Sequence, residues 1–156
     1  MSSADIRVRA AERGDVPFIV ECIRALAAYE KLTQECAPDS ARLTEHLFGE
    51  RPYVEALIAE RDGRKVGYAL VFYSYSTFLT APGIFLEDLF VFPEERGRGA
   101  GKALLDAVVD MARERGCERV EWSVLDWNEP AIRFYEAYGA RPQDAWTVYR
   151  LARKPG

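Results

Sequence analysis

The chain has little histidine, and what it lacks narrows the chemistry. Only His46 is present among 156 residues, so mechanisms that need a histidine pair or a metal cluster built on imidazoles are excluded. Cysteine is scarce as well. Cys22, Cys36 and Cys117 are an odd set with no C-x-x-C spacing, which suggests neither a disulfide framework nor a zinc site, but reduced thiols packed as small apolar groups. No apolar run approaches the roughly 20 residues of a membrane span. The opening Met1-Ser2-Ser3-Ala4-Asp5 has no basic and apolar signal segment, so a cytoplasmic protein with no membrane contact is expected. Excess basic charge is also missing: 21 Lys and Arg against 25 Asp and Glu give a net charge of -4. That sign argues against a nucleic-acid partner and suits a cationic small substrate. No repeat, low-complexity run or linker breaks the chain, so a single domain over 1–156 with a substantial core is expected.

What is present is organised around Leu86 to Ala112. An apolar strand (Leu86 to Phe92) runs through Pro93 into a loop containing Gly97, Gly99 and Gly101, and then into an apolar-periodic helix. Glycines at that junction let backbone amides converge, and the helix points the positive end of its dipole at the same place. Together they form an anion site suited to a phosphate or diphosphate, with Arg96, Arg98 and Lys102 adding positive charge. A P-loop is excluded because Arg96 stands where its first glycine belongs and Ala103 replaces the metal-binding hydroxyl. A dinucleotide fingerprint would place its third glycine at position 102, which is lysine. The segment does match R-x-x-G-x-G, at Arg96, Gly99 and Gly101.

Around this stretch the periodicities predict strand Ile6–Ala10, then a helix capped by Asp15 that ends near Tyr29–Lys31. A second helix, capped by Asp39 or Ser40, is stopped by Gly49. Strands follow at Val54–Glu60 and Lys65–Tyr75, joined by the hairpin signal Asp62-Gly63. A turn at Ala81-Pro82-Gly83 leads into the central strand Ile84–Phe92. After the long helix, stopped by Gly116, a strand is expected at Arg119–Leu125. Asn128 caps a last helix that Gly139 ends, and Trp146–Leu151 reads as a closing strand. The order β-αα-βββ-α-β-α-β implies an α/β fold with a mixed sheet.

This order and the R-x-x-G-x-G loop resemble the GNAT (GCN5-related N-acetyltransferase) superfamily, whose acyl-CoA N-acyltransferase fold has a mostly antiparallel sheet flanked by helices. Four blocks resemble its diamine (spermidine/spermine) N-acetyltransferase family more closely: Leu26-Ala27-Ala28-Tyr29-Glu30, Phe85 to Val91, Arg96 to Gly101, and Trp127 to Tyr135. The resemblance implies acetyl-CoA as cosubstrate and no metal. It places Leu89, Phe90 and Val91 on the pantetheine arm, and Arg96, Gly97, Arg98, Gly99, Ala100, Gly101 and Lys102 around the diphosphate. Asn128, Glu129, Pro130 and Ala131 would border the cofactor. Tyr135 and Glu87 match catalytic positions, and Tyr29, Glu30, Glu87, Glu121, Trp122 and Ser123 match the amine site. It also implies a homodimer.

The residues can carry such a reaction. An alkylammonium of pKa ~10.4 must lose a proton near pH ~7.5, which costs roughly 4 kcal/mol. A carboxylate acting through water can collect that proton while its charge attracts the cation. Glu87 and Asp88 are adjacent, so a regular strand sends them to opposite faces and periodicity does not choose between them. A β-bulge would change the answer; the resemblance favours Glu87. The Tyr135 phenol can protonate the departing thiolate. His46 reads as a solvent-facing or helix-packing residue. The expected activity is acetyl transfer to a primary amine of a small cationic acceptor, a diamine, polyamine or lysine-like amino acid. A protein or aminoglycoside-like amine, or a non-catalytic acyl-CoA-binding module, are the alternatives.

Overall fold

Apolar and β-branched runs fold the middle of the chain into antiparallel hairpins, while 3.6-residue periodicity places helices before and after them. The computed structural model describes residues 5–153. They form two compact units, one running to Ser123 and the other from Val124.

The first unit carries strands β1 (Ile6–Ala10), β2 (Glu55–Arg61), β3 (Arg64–Ser76), β4 (Ala81–Val91) and β5 (Val120–Glu121), with helices α1 (Val16–Tyr29), α2 (Ser40–Phe48) and α3 (Ala100–Glu114). The sheet order is β1-β2-β3-β4-β5, antiparallel throughout except for the parallel β4–β5 pair. This is the mixed, mostly antiparallel α/β architecture expected. Both faces of the sheet are covered. Ala56, Ile58, Tyr68, Leu70 and Phe90 pack with Val16, Ile19, Val20 and Cys22 of α1 and Leu47 of α2. The alternate residues Leu57, Ala59, Ala69 and Val71 are buried on the other face, where α3 lies against β1 to β4 with Leu104, Leu105 and Val108 buried. Cys22 is buried in the α1 layer and its thiol is pushed up to about 12 by burial.

The second unit holds α4 (Glu129–Tyr138). Asn128 caps it by accepting a hydrogen bond from the Ala131 amide at 3.4 Å, and Gly139, at φ 113°, ends it.

Four local expectations are corrected. Ala81-Pro82-Gly83 is strand, paired with Ser76, Tyr75 and Ser74; the turn is the preceding Thr77–Thr80 stretch. Gly83 is there for closeness, since a Cβ would sit 2.7 Å from Ser74 Oγ and 3.1 Å from the Arg119 carbonyl oxygen. Asp15 precedes α1 without capping it through its side chain. Its carboxylate is instead claimed by Arg9 (2.8 and 3.0 Å), Lys65 (2.7 Å) and the Glu12 amide (2.7 Å). The strand expected at Arg119–Leu125 is only Val120–Glu121, because its ladder to β4 stops at Phe85. No strand forms at 146–151 among the described residues. Trp146, Val148, Tyr149 and Leu151 are exposed there, and β-propensity expresses fit to a half-buried pleated surface that this segment does not have.

Candidate active site

The site is built on an irregularity in β4. Val71 pairs with Leu86 and Leu70 pairs with Asp88, so Glu87 is an extra residue in the ladder. Partners across a ladder share a face. Leu86 therefore shares the α3 face of Val71, while Asp88 shares the α1 face of Leu70. Strict alternation from Leu86 would have put Asp88 on the α3 side; the bulge turns it over. Both carboxylates consequently line one cleft on the α1 side.

That cleft has a volume of about 570 Å³. Glu30, at the end of α1, meets Glu87 and Asp88 in it, while the turn at Thr33–Glu35 and α2 supply another wall that includes Glu35, Asp39 and Arg42. His46 also lines it, its ring set edge-on to Tyr53 with centroids 4.9 Å apart. The carboxylates feel one another. Burial pushes the Glu30 carboxyl above its ordinary range, and the charges of Asp88 and Glu87 push it further. Asp88 is raised by burial, opposed by a hydrogen bond from the fully buried Tyr68 hydroxyl. Burial and the Asp88 charge raise the Tyr68 phenol well above 10, so it stays protonated and donating at neutral pH. A carboxylate whose pKa is raised toward neutrality is a better proton acceptor than an exposed one.

The next residues of β4 form an open edge. The Phe92 amide donates to Val66 O at 3.1 Å, toward β3. Pleat alternation therefore turns the backbone groups of Leu89 and Val91 the other way, where β5 pairs only with Ile84 and Phe85. The Val91 carbonyl accepts from Arg96 Nε at 2.7 Å. Arg96 spends its guanidinium here, over the rings of Tyr29 (5.1 Å) and Phe90 (5.4 Å), and ties the loop to α1.

Beyond Arg96 the loop takes left-handed turns at Gly97 (φ 76°) and Gly99 (φ 94°), a region that costs a side chain roughly 1–2 kcal/mol. Ala103 is the first amide of α3 to bond back, to Gly99 O at 2.9 Å, so the amides of Ala100 and Gly101 have no acceptor within the helix. The loop rests on a buried bracket. Glu95 takes Arg61 Nε at 3.0 Å, Arg64 at 3.0 Å and Arg98 at 3.3 Å, and Arg61 Nη2 also donates to the Arg98 carbonyl at 3.2 Å. Arg64 and then Arg61 hold the Glu95 carboxyl below its usual value. Lys102 is exposed and pairs with Asp106 at 3.0 Å.

Of the residues expected in the amine site, Glu30 and Glu87 come together in the cleft. Tyr29 lies under Arg96 instead. Glu121 sits on β5 opposite Phe85 with Arg119 3.6 Å away, and Trp122 and Ser123 follow the end of that strand. Asn128, Glu129, Pro130, Ala131 and Tyr135 belong to the second unit, at the cap, the first turn and the second turn of α4; the Tyr135 ring packs against Phe134 at 5.5 Å. Sequence reasoning left Asp88 open and missed Tyr68, Arg42 and the Arg61–Glu95 bracket. Only the Glu87-Asp88 doublet inside an apolar strand hinted at any of them.

Residues 22–140 match the family model described as "Acetyltransferase (GNAT) family". The chain belongs to this family. As a GNAT protein it is an N-acetyltransferase, and the matched range spans both units. Among its relatives, the thialysine N-epsilon-acetyltransferase of Sus scrofa is 36% identical over 95% of this chain and 93% of the relative. The L-ornithine N5-acetyltransferase NATA1 of Arabidopsis thaliana is 32% identical over 93% and 83%. In three dimensions, an aminoglycoside acetyltransferase from an uncultured soil metagenomic sample superposes with a TM-score of 0.77 at 20% identity, covering 96% of this chain and 98% of that one. That likeness concerns the fold. No helix among the described residues is long and apolar enough to cross a membrane.

Proposed function

We propose that this GNAT protein transfers the acetyl group of acetyl-CoA directly to a primary amine of a small cationic acceptor, a diamine, polyamine or lysine-like amino acid. The observation that carries the reading is the meeting of Glu30, Glu87 and Asp88 in one cleft, on the strand whose next residues present a free edge. The relatives that act on thialysine and ornithine support it.

In this reading the pantetheine arm adds to the edge of β4 at Leu89 and Val91, with Phe90 between them, as a further strand would. The turn from Gly97 to Gly101 offers its amides to the diphosphate, helped by the dipole of α3 and by Arg98 and Lys102. Asn128, Glu129, Pro130 and Ala131 border the cofactor. The carboxylates attract the ammonium, and Glu87, through water, takes its proton. The free amine attacks the thioester carbonyl, and a strand amide of β4 stabilises the developing oxyanion; as the C–S bond breaks Tyr135 gives its proton to the thiolate and regains the one that the attacking nitrogen sheds. Tyr29, Glu121, Trp122 and Ser123 complete the acceptor surroundings. The protein works as a cytoplasmic homodimer, its two units forming one catalytic domain without a metal, a nucleic acid or a membrane.

A thiol-release assay with acetyl-CoA across a panel of amines tests this. Turnover of small diamines or basic amino acids is expected; turnover confined to peptides or aminoglycosides, or coenzyme binding without turnover, overturns it.

A further inference from the structure

The cleft does not carry one sign of charge throughout, and this bears on what fills it. Toward β4 it presents only carboxylates, Glu30, Glu87 and Asp88. Its other wall, from Glu35 to the first turn of α2, presents Glu35 and Asp39 together with Arg42. Asp39 Oδ1 holds the Arg42 amide at 3.0 Å as the cap of α2, which fixes where that side chain starts. The Arg42 guanidinium has no carboxylate within ion-pair distance among the described residues. His46, one helical turn further on, lines the same cleft.

We infer that the cleft is shaped for an α-amino acid bearing a terminal side-chain amine, rather than for a plain diamine, and that Arg42 is the specificity-determining residue that reads the carboxylate. This rests on the acetyl-transfer reading above. The terminal ammonium goes to the all-acidic end, where it is attracted and deprotonated. The amino-acid head group carries one charge of each sign, and the second wall carries both: Glu35 faces the α-ammonium, and Arg42 takes the α-carboxylate in a two-pronged hydrogen bond. A diamine would leave Arg42 facing a second cation. About 570 Å³ is ample room for an acceptor of this size.

The experiment compares pairs that differ only by the carboxylate, L-lysine with cadaverine and L-ornithine with putrescine, by thiol release in the wild-type protein, Arg42→Gln and Arg42→Lys. In the wild type kcat/KM favours the amino acids by about tenfold or more, the usual size of a charge-assisted contact. Arg42→Gln removes most of that preference, through KM rather than kcat, and Arg42→Lys restores part of it. Diamines turned over as well as amino acids by the wild type, or an equal loss for both classes in Arg42→Gln, overturn the inference and leave acetyl transfer standing. No thiol release with any amine overturns the transfer reading, and this inference with it.

Discussion

Replacing Asp88 with asparagine should raise stability and lower activity together. Burial holds the Asp88 proton above its ordinary value, and the Tyr68 hydrogen bond only partly opposes this. A carboxyl whose folded pKa exceeds its unfolded value of ~3.9 contributes stability that is fully present below that value and lost as pH rises through the folded pKa. At neutral pH the ionised group therefore weighs against the fold. Asparagine keeps the shape, and its amide oxygen still accepts from Tyr68, but it carries no charge. A gain of about 1 kcal/mol would raise Tm by roughly 2–4 °C in a chain of this length. The same change removes one of three negative charges facing the acceptor. At an effective dielectric of about 20 and a separation of about 5 Å, one charge pair is worth about 3 kcal/mol. Solvent in the open cleft screens part of that, so kcat/KM for a cationic acceptor should fall about 10- to 100-fold. The KM for acetyl-CoA should hold. Calorimetry across pH should show the Tm advantage at neutral pH and its disappearance in acid, where the wild-type carboxyl is protonated. A lower Tm at neutral pH with kcat/KM intact would refute the reasoning and make Asp88 simply the acceptor of the Tyr68 hydroxyl.

Tyr135→Phe should keep the fold and the acetyl-CoA affinity while lowering kcat by roughly 10²-fold or more in steady-state assays. Gly99→Ala forces a side chain to φ 94°. It should destabilise the chain by about 1–2 kcal/mol in denaturant titrations and raise the KM for acetyl-CoA more than the KM for the amine. Asp15 is held well below the usual carboxylate range, first by Arg9 and then also by Lys65. It contributes stability above its unfolded pKa of ~3.9, and that stability drains away as pH falls from there toward the folded value. Asp15→Asn should therefore lower Tm at neutral pH and flatten its decline below about pH 4 in acid melts.

The readable parts of this fold were those decided locally. The Asn128 cap, the stops at Gly49 and Gly139 and the hairpin at Asp62-Gly63 depend on a few neighbouring residues, and each stands where the sequence placed it; of Asp39 and Ser40, the two caps it offered for α2, Asp39 serves. Features decided by a distant partner were not readable. Asp15 resembled a cap until Arg9 and Lys65 claimed it, and Gly83 resembled a turn until Ser74 and Arg119 crowded it. Strand length after α3 depended on where β4 stops offering a ladder. The same distinction divides the site. The glycine loop announces itself through backbone conformations that only glycine adopts readily, whereas the convergence of Glu30, Glu87 and Asp88 follows from one pairing slip opposite Leu70 and Val71. Arg61 and Glu95 are 34 positions apart, with nothing in their neighbours to link them.

That slip in β4 also limits how such a cleft can arise or be lost. Deleting Glu87 would restore an even pleat and leave Asp88 opposite Leu70 and beside Tyr68, but with no second acid next to it. In an even pleat no exchange of one amino acid for another turns two adjacent side chains to one face. Ancestors lacking the extra residue would have needed an insertion, not a substitution, to bring two neighbouring acids to bear on one guest.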